Sequence, residues 1–405
     1  MSNLRFDQII FKASHNSYER NESISEQLSF HANSPYNCGC MALEFDIWRH
    51  SSDFTPGKEI KKDYFTVAHT TPGSKPLASY FEGVLSWHKN NPNHDVVLIT
   101  LDIKSSGGGY SHFHEEIDTY LKCYLGENLI YKPTRLIRNT SLSLCENVTK
   151  YGWPVLSSPE LKNKFIICLS GNEDWKSEYS RSGLDKLFCF CDADKSASDI
   201  DVYPPTKGNI VFFNFHIYDN NRDAWMNSIP RFASRKLITR TYVTNSEKNW
   251  NNCIKANVSA IATDKVSNHE WCKFGSNNLF QEKKKSYDKR FIKNKSNNEY
   301  RTSNATKMQD TYRSPESAFI FEEQEGSNIF AIRNAKNNEY FDSTITSMSD
   351  KVIDDRQRWE LISVDASRDE FYLRNCNNNE YMTKKASKLS DNCGEDEVYI
   401  IQSVD

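Results

Sequence analysis

The chain has 405 residues, a formal net charge of −3 and a charged fraction of 26%. At roughly 100–200 residues per domain it exceeds one ordinary core, although a barrel of ~250 residues can stand as one unit. The near-neutral balance gives no reason to expect a nucleic acid or a strongly anionic surface as partner, and no run of ~18 apolar residues predicts a membrane-spanning helix.

The segment Met1–Asp7 lacks the basic-then-apolar pattern of a secretory signal, so a cytoplasmic or peripheral-membrane location is expected, with secretion left open. Short apolar runs then alternate with polar, helix-like stretches. The runs are Ile9–Ala13, Ala42–Ile47, Phe65–Ala68, Val96–Ile103, Phe165–Leu169, Ile210–Phe213, Lys236–Arg240 and Ala260–Ala262. They are rich in β-branched and aromatic residues, as buried parallel strands are. Helical patterns such as Pro76–Asn90 and His112–Leu125 separate several of them, and Asn172–Thr206 reads as a long loop. Strands alternating with helices in this way predict a TIM-like (β/α)8 barrel over residues 1–268. The 11 cysteines are odd in number, and the C-x-C pairs at Cys38/Cys40 and Cys189/Cys191 are tighter than the usual zinc knuckle, so reduced, half-buried thiols are expected.

Residues 269–287 are polar, carry Glu282-Lys283-Lys284-Lys285, and read as a linker. Beyond them Asn-Asn-Glu-Tyr occurs three times, ending at Tyr300, Tyr340 and Tyr381, with spacings of 40 and 41 residues. Each copy follows an apolar strand that ends in Asn294, Asn334 or Asn375, and precedes a second strand carrying Phe319, Trp359 or Tyr399. Units this small cannot bury a core alone and must close on one another, which predicts an all-β β-trefoil over residues 288–405. The tetrapeptide itself reads as a turn followed by a core tyrosine.

The chemistry gathers at strand ends. Ser14-His15-Asn16-Ser17-Tyr18 follows the first run, Leu43-Glu44-Phe45-Asp46 lies on the second, Ala68-His69 ends the third, and Leu101-Asp102-Ile103-Lys104 ends the fourth. Residues two apart on a strand share a face, so Glu44 points with Asp46 and Asp102 with Lys104. Oxygen ligands from Asn16, Glu44, Asp46 and Asp102 suit a hard cation. Calcium fits better than magnesium, because the set leaves room for water and substrate oxygens. His15 and His69 can move protons near neutral pH. Each residue alone has a bland reading: a satisfied polar histidine, a solvated acidic edge, an Asp102–Lys104 ion pair. Their coincidence at four successive strand ends is what argues for a site.

In this order and spacing, Ser-His-Asn-Ser-Tyr, Leu-Glu-x-Asp, Ala-His and Leu-x-Leu-Asp-x-Lys resemble the calcium-dependent phosphatidylinositol-specific phospholipase C family, in its bacterial-type single-barrel branch. The resemblance continues through Gly152-Trp153-Pro154 and Lys164-Phe165-Ile166 to Ala262-Thr263-Asp264. It implies catalytic roles for His15 and His69, and calcium ligation by Asn16, Glu44, Asp46 and Asp102, the last an Asp where many relatives have Glu. It implies attack of the inositol 2-hydroxyl on phosphorus, with His69 protonating the leaving diacylglycerol oxygen. His15 would steady the phosphorane or share proton transfer, and Lys104 would contact phosphate or inositol. Arg240 and Tyr242 are further substrate-binding candidates, with a structural Arg–carboxylate pair as the equal alternative. The implied partner is phosphatidylinositol or its glycosylated form at a membrane surface. A glycerophosphodiesterase is the neighbouring alternative. A non-catalytic protein binding sugar, lipid or actin through its trefoil is the other. Gln357-Arg358-Trp359 resembles the Gln-x-Trp signature of ricin-type lectins, which the other two repeats lack.

Overall fold

The computed structural model describes residues 4–403 apart from 32–37, 51–53, 106–110, 182, 185, 195–209, 218–228, 231, 234, 276–277, 284–288, 305–306, 312–315, 325–328, 338, 345–346, 350–351, 353, 366–369 and 386–387. The chain divides into two compact units, Met1–Lys284 and Lys285–Asp405.

The first unit holds β1 (Ile9–Ser14), β2 (Ala42–Arg49), β3 (Phe65–Val67), β4 (Val97–Ile103), β5 (Phe165–Gly171), β6 (Phe190–Asp194), β7 (Phe212–His216), β8 (Ile238–Tyr242), β9 (Ala260–Thr263) and β10 (Phe280–Glu282). Eight of these pair in parallel in the order β1, β2, β4, β5, β6, β7, β8, β9, and β9 returns to β1, so the barrel closes. Around it lie α1 (Ile24–Leu28), α2 (Leu77–Asn90), α3 (Phe113–Leu121), α4 (Leu144–Tyr151), α5 (Glu173–Ser180) and α6 (Glu247–Lys255).

Three expectations need correction. Phe65–Ala68 is not a barrel stave: β3 runs antiparallel to β2, Ile47 facing Val67 and Arg49 facing Phe65. Among the described residues no helix lies between Arg49 and Phe65, and a parallel return normally needs one as crossover. The stave that takes its place is β6, the fifth in the barrel, inside the stretch expected to be a loop. Its sequence, Phe-Cys-Asp-Ala-Asp, has two acids and no β-branched residue, and so carries no strand signature. The same stretch starts α5, where the Asn172 side chain accepts the N–H groups of Asp174 and Trp175; residues 195–206 of it lie outside the described set. The third correction concerns residues 269–287. Their β10 lies antiparallel along β1, Ile9 facing Glu282 and Phe11 facing Phe280.

The alternation along the staves decides what faces the interior. Leu43, Phe45 and Ile47 of β2 and Val97, Ile99, Leu101 and Ile103 of β4 pack outward with Phe81, Val84, Phe113, Ile117 and Trp175 from α2, α3 and α5. Glu44, Asp46 and Asp102 therefore face the other way. A cavity of about 440 Å³ lined by Met41, Trp87, His94 and Val97 lies at the strands' N-terminal end, opposite these acids. Among the described residues no helix is long and apolar enough to cross a membrane.

The second unit is all-β. Its strands are β11 (Lys289–Asn294), β12 (Tyr300–Arg301), β13 (Met308–Gln309), β14 (Phe319–Glu323), β15 (Ile329–Asn334), β16 (Tyr340–Phe341), β17 (Met348–Ser349), β18 (Arg358–Asp365), β19 (Glu370–Asn375), β20 (Tyr381–Met382), β21 (Leu389–Ser390) and β22 (Tyr399–Ser403). β11, β14, β15, β18, β19 and β22 close an antiparallel ring. The pairs β12–β13, β16–β17 and β20–β21 are hairpins, which completes a β-trefoil. The three tyrosines hold one register, facing Lys293, Arg333 and Arg374. They are half-buried rather than core; the next residue, Arg301, Phe341 or Met382, is the fully buried one.

The asparagine that ends each first strand has a physical reason. Asn294, Asn334 and Asn375 are fully buried. Their side-chain amides donate to the carbonyls of Val398, Ala318 and Arg358. Their Oδ1 atoms accept the N–H two residues on, from Ser296, Lys336 and Asn377. Each is an Asx turn clamped to another strand's backbone.

Candidate functional site

Three carboxylates meet at the strands' C-terminal end. Parallel register sets Asp46 beside Asp102 and Glu44 beside Thr100. One oxygen from each of Glu44, Asp46 and Asp102 lies within 4.8 Å of the others. Gly171, beside Ile103 on β5, has a φ of +82°, and a Cβ there would stand 2.1 Å from Asp102 Oδ1. The glycine makes the space that the Asp102 carboxylate fills.

Lys104 and Arg240 balance the acids. Lys104 Nζ donates to Asp102 Oδ2 at 2.8 Å and lies 3.3 Å from Asp46 Oδ2. Arg240 Nη2 lies 2.6 Å from Glu44 Oε2, and its Nη1 donates to Asn214 Oδ1 at 3.0 Å. Burial raises the Asp46 and Asp102 carboxyls above the usual range, outweighing the opposing Lys104 charge. Burial works against the Lys104 charge as well, yet Asp102 and Asp46 hold it above the usual lysine range. The half-buried Tyr18 phenol is pushed up by its burial and by the neighbouring Asp46.

Two histidines flank the cluster. His15 Nδ1 is 2.9 Å from Asp264 Oδ1, and its Nε2 is 4.0 Å from Glu44 Oε2. His69 Nδ1 is 2.9 Å from Asp46 Oδ2, with its side chain 52% exposed. A carboxylate only accepts, so in both rings Nδ1 carries the proton and Nε2 is the nitrogen left for exchange. His69 stands on the β2–β3 hairpin, which the Ala68 N–H bond to Asp46 O at 3.1 Å and the Trp48 Nε1 bond to Ala68 O at 2.8 Å hold in place. Asn16 sits in the left-handed region, φ 45° and ψ 58°, and its N–H donates to Glu44 Oε2 at 3.0 Å. Tyr242 stacks on His216 at 4.5 Å and lies 6.1 Å from His15, centroid to centroid.

The residues expected from sequence thus fall on one end of the barrel, with Asp102 on the third stave rather than the fourth. Asp264, Arg20, Asn214, His216 and Gly171 were not anticipated as site residues. Asp264 could have been: it follows directly on the last stave, where barrel chemistry gathers. Burial alone would raise it; the His15 bond and the His15 and Arg20 charges hold it below the usual carboxylate range.

The donor set fits a hard cation. Asp46 Oδ1 and Asp102 Oδ1 are both buried without a hydrogen-bond partner, in a cluster whose burial penalises its charge. A dication suits such oxygens.

Compared with solved structures, the chain is similar to the calcium-dependent phosphoinositol-specific phospholipase C of a Pseudomonas species, a Gram-negative bacterium, in its myoinositol complex. Identity is 16% and the TM-score 0.55, covering 69% of this chain and 96% of that one. The barrel has that phospholipase fold. A second crystal form of the Pseudomonas phospholipase gives 18% identity and a TM-score of 0.53 over 69% and 96% of the two chains. A calcium-dependent phosphatidylinositol-specific phospholipase C from Streptomyces antibioticus gives 16% and 0.49 over 64% and 94%. A structure of SeviL bound to asialo-GM1 saccharide matches 29% of this chain and 98% of its own, at 17% identity and a TM-score of 0.25. No protein-family model matches the sequence, and no curated protein does.

Proposed function

We propose that the barrel is a calcium-assisted phosphodiesterase of the phospholipase C type, acting on phosphatidylinositol or its glycosylated form. The observation that carries this reading is the pair of imidazoles on opposite sides of one carboxylate cluster, each with Nδ1 committed to an acid. Asp46, Asp102 and Glu44, with Asn16, would hold the cation, which when bound supplies Lewis acidity toward a hydroxyl and a phosphoryl oxygen. His15, beside Glu44, accepts the proton of the attacking hydroxyl at Nε2. His69, half exposed on its hairpin, acts in its imidazolium form: Nδ1–H stays on Asp46 and the second proton passes from Nε2 to the leaving oxygen. Lys104 supplies a fixed positive charge for the phosphate, and Arg240 and Tyr242 line the inositol side.

The test is release of inositol phosphate from phosphatidylinositol with added calcium or with a strong chelator. Turnover that chelation abolishes and calcium restores supports the reading. Turnover that survives the chelator would sink the metal role. Preference for glycerophosphocholine would move the assignment to a glycerophosphodiesterase. No turnover of any phosphodiester would leave the trefoil, with a sugar, lipid or actin as ligand, as the working part.

A further inference from the structure

Resting on the phosphodiesterase reading, we propose that Arg20 is a positioning residue for His15. It acts through Asp264 and ties Asn16 to the same point. Arg20 follows the turn that carries His15 and Asn16, and its side chain is only 16% exposed. Nη1 donates to the Asp264 carbonyl at 3.2 Å and lies 3.2 Å from Asp264 Oδ1, the oxygen that also meets His15. Nε donates to the Asn16 carbonyl at 3.4 Å. One guanidinium therefore spans the ends of the first and last staves, at the two residues on either side of the His15 ring.

The rest of the Asp264 shell explains why this contact matters. Asn245 Nδ2 donates to Asp264 Oδ2 at 2.5 Å, and Asn245 Oδ1 accepts the Asp264 N–H at 2.8 Å. Asn245 fixes one carboxylate oxygen and the backbone, while Arg20 and His15 share the other oxygen. With Arg20 removed, Oδ1 keeps only the imidazole and the carboxylate can turn about its hold on Asn245. His15 then loses the fixed acceptor that selects the Nδ1–H tautomer and aims Nε2 at the cluster. Arg20 also competes with a surface alternative, since Glu19 lies 3.7 Å from its Nη2. At that distance, and with Glu19 itself exposed, this contact contributes little and does not fix the side chain. The planar fork reaches two carbonyls and a carboxylate at once, which an ammonium on a flexible stem does not reproduce.

The experiment uses the full chain with Arg20→Ala, Arg20→Gln and Arg20→Lys. Ring-nitrogen ¹⁵N spectra, with His15 assigned from the signal lost in His15→Gln, report its tautomer. Wild type should show one Nδ1–H form. Arg20→Ala and Arg20→Gln should show a mixture, and Arg20→Lys an intermediate. On phosphatidylinositol kcat should fall roughly 10–100-fold with KM little changed, and added guanidinium should restore part of it in Arg20→Ala. Gln keeps the bulk of the side chain and serves if Ala does not fold. A single unchanged His15 tautomer in Arg20→Gln, or lost thermal stability with an unchanged kcat, would overturn the proposal. If wild type turns over no phosphodiester, the tautomer measurement still decides the positioning role, and the failure falls on the function alone.

Discussion

Gly171→Ala probes the carboxylate cluster without touching a charge. The new Cβ would stand 2.1 Å from Asp102 Oδ1, 2.5 Å from the Ile103 carbonyl oxygen and 2.8 Å from the Ile103 nitrogen. Only the first contact can be relieved by a side-chain movement; the other two are to the backbone of the neighbouring stave. Holding an L-residue at positive φ costs about 1–2 kcal/mol, and forced overpacking about 1–3 kcal/mol more. The loss should therefore be roughly 2–5 kcal/mol, a fall in Tm of about 4–20 °C at ~2–4 °C per kcal/mol. Of the eight tryptophans only Trp359 lies beyond Lys284, so intrinsic fluorescence on heating follows the barrel. Calorimetric calcium titration should show weaker binding, because Asp102 has been pushed aside. Adding Asp102→Ala should recover part of the Tm and none of the calcium binding. A Gly171→Ala protein melting within about 2 °C of wild type, with calcium affinity intact, would refute the packing argument.

His69→Ala should lower kcat on phosphatidylinositol by roughly 10²–10⁴, with KM little changed, as steady-state kinetics would read. Asp46→Asn should weaken calcium binding in the same calorimetric titration, and raised calcium should restore part of the activity. Asp118, on α3 and bonded to Tyr179 of α5, is pushed up to about 7 by burial, against the opposing Tyr179 bond. The folded state therefore binds its proton more tightly than the unfolded chain. That contribution is complete below the ordinary value of 3.8 and is lost as pH rises through about 7. Urea melts between pH 4 and 8 should show stability falling by up to roughly 4 kcal/mol, and Asp118→Asn should flatten that slope. A slope unchanged in the variant would show that other groups set it.

Much of the site was legible because a barrel delivers strand ends to one face. The pairs Glu44/Asp46 and Asp102/Lys104 needed only the two-residue period to be placed together. The trefoil was legible from a register repeated three times. What escaped was a strand with no strand signature, Phe190–Asp194, and a short apolar run, Phe65–Val67, whose pairing direction depends on the connection rather than on its own residues. Two errors of opposite sign kept the stave count at eight while moving Asp102 from the fourth stave to the third. An Arg–carboxylate pair is one of the two readings open for Arg240, but that its partner is Glu44 escaped. Pairing between β2 and β8 across a barrel interior is set by closure, which no local pattern reports.

The seam between the first two staves bears on where the barrel can end. β1 meets β2 at one registered pair, Ala13 with Ala42, while β10 covers β1 along Ile9–Phe11. The backbone groups of that half of β1 are thus closed off by a late segment of the unit. A chain cut after the last parallel stave would leave them as a short uncovered edge beside Phe11 and Phe280's vacated place, a template on which a second molecule could pair. Residues 280–282 therefore guard that edge of β1, although none of them belongs to the carboxylate cluster.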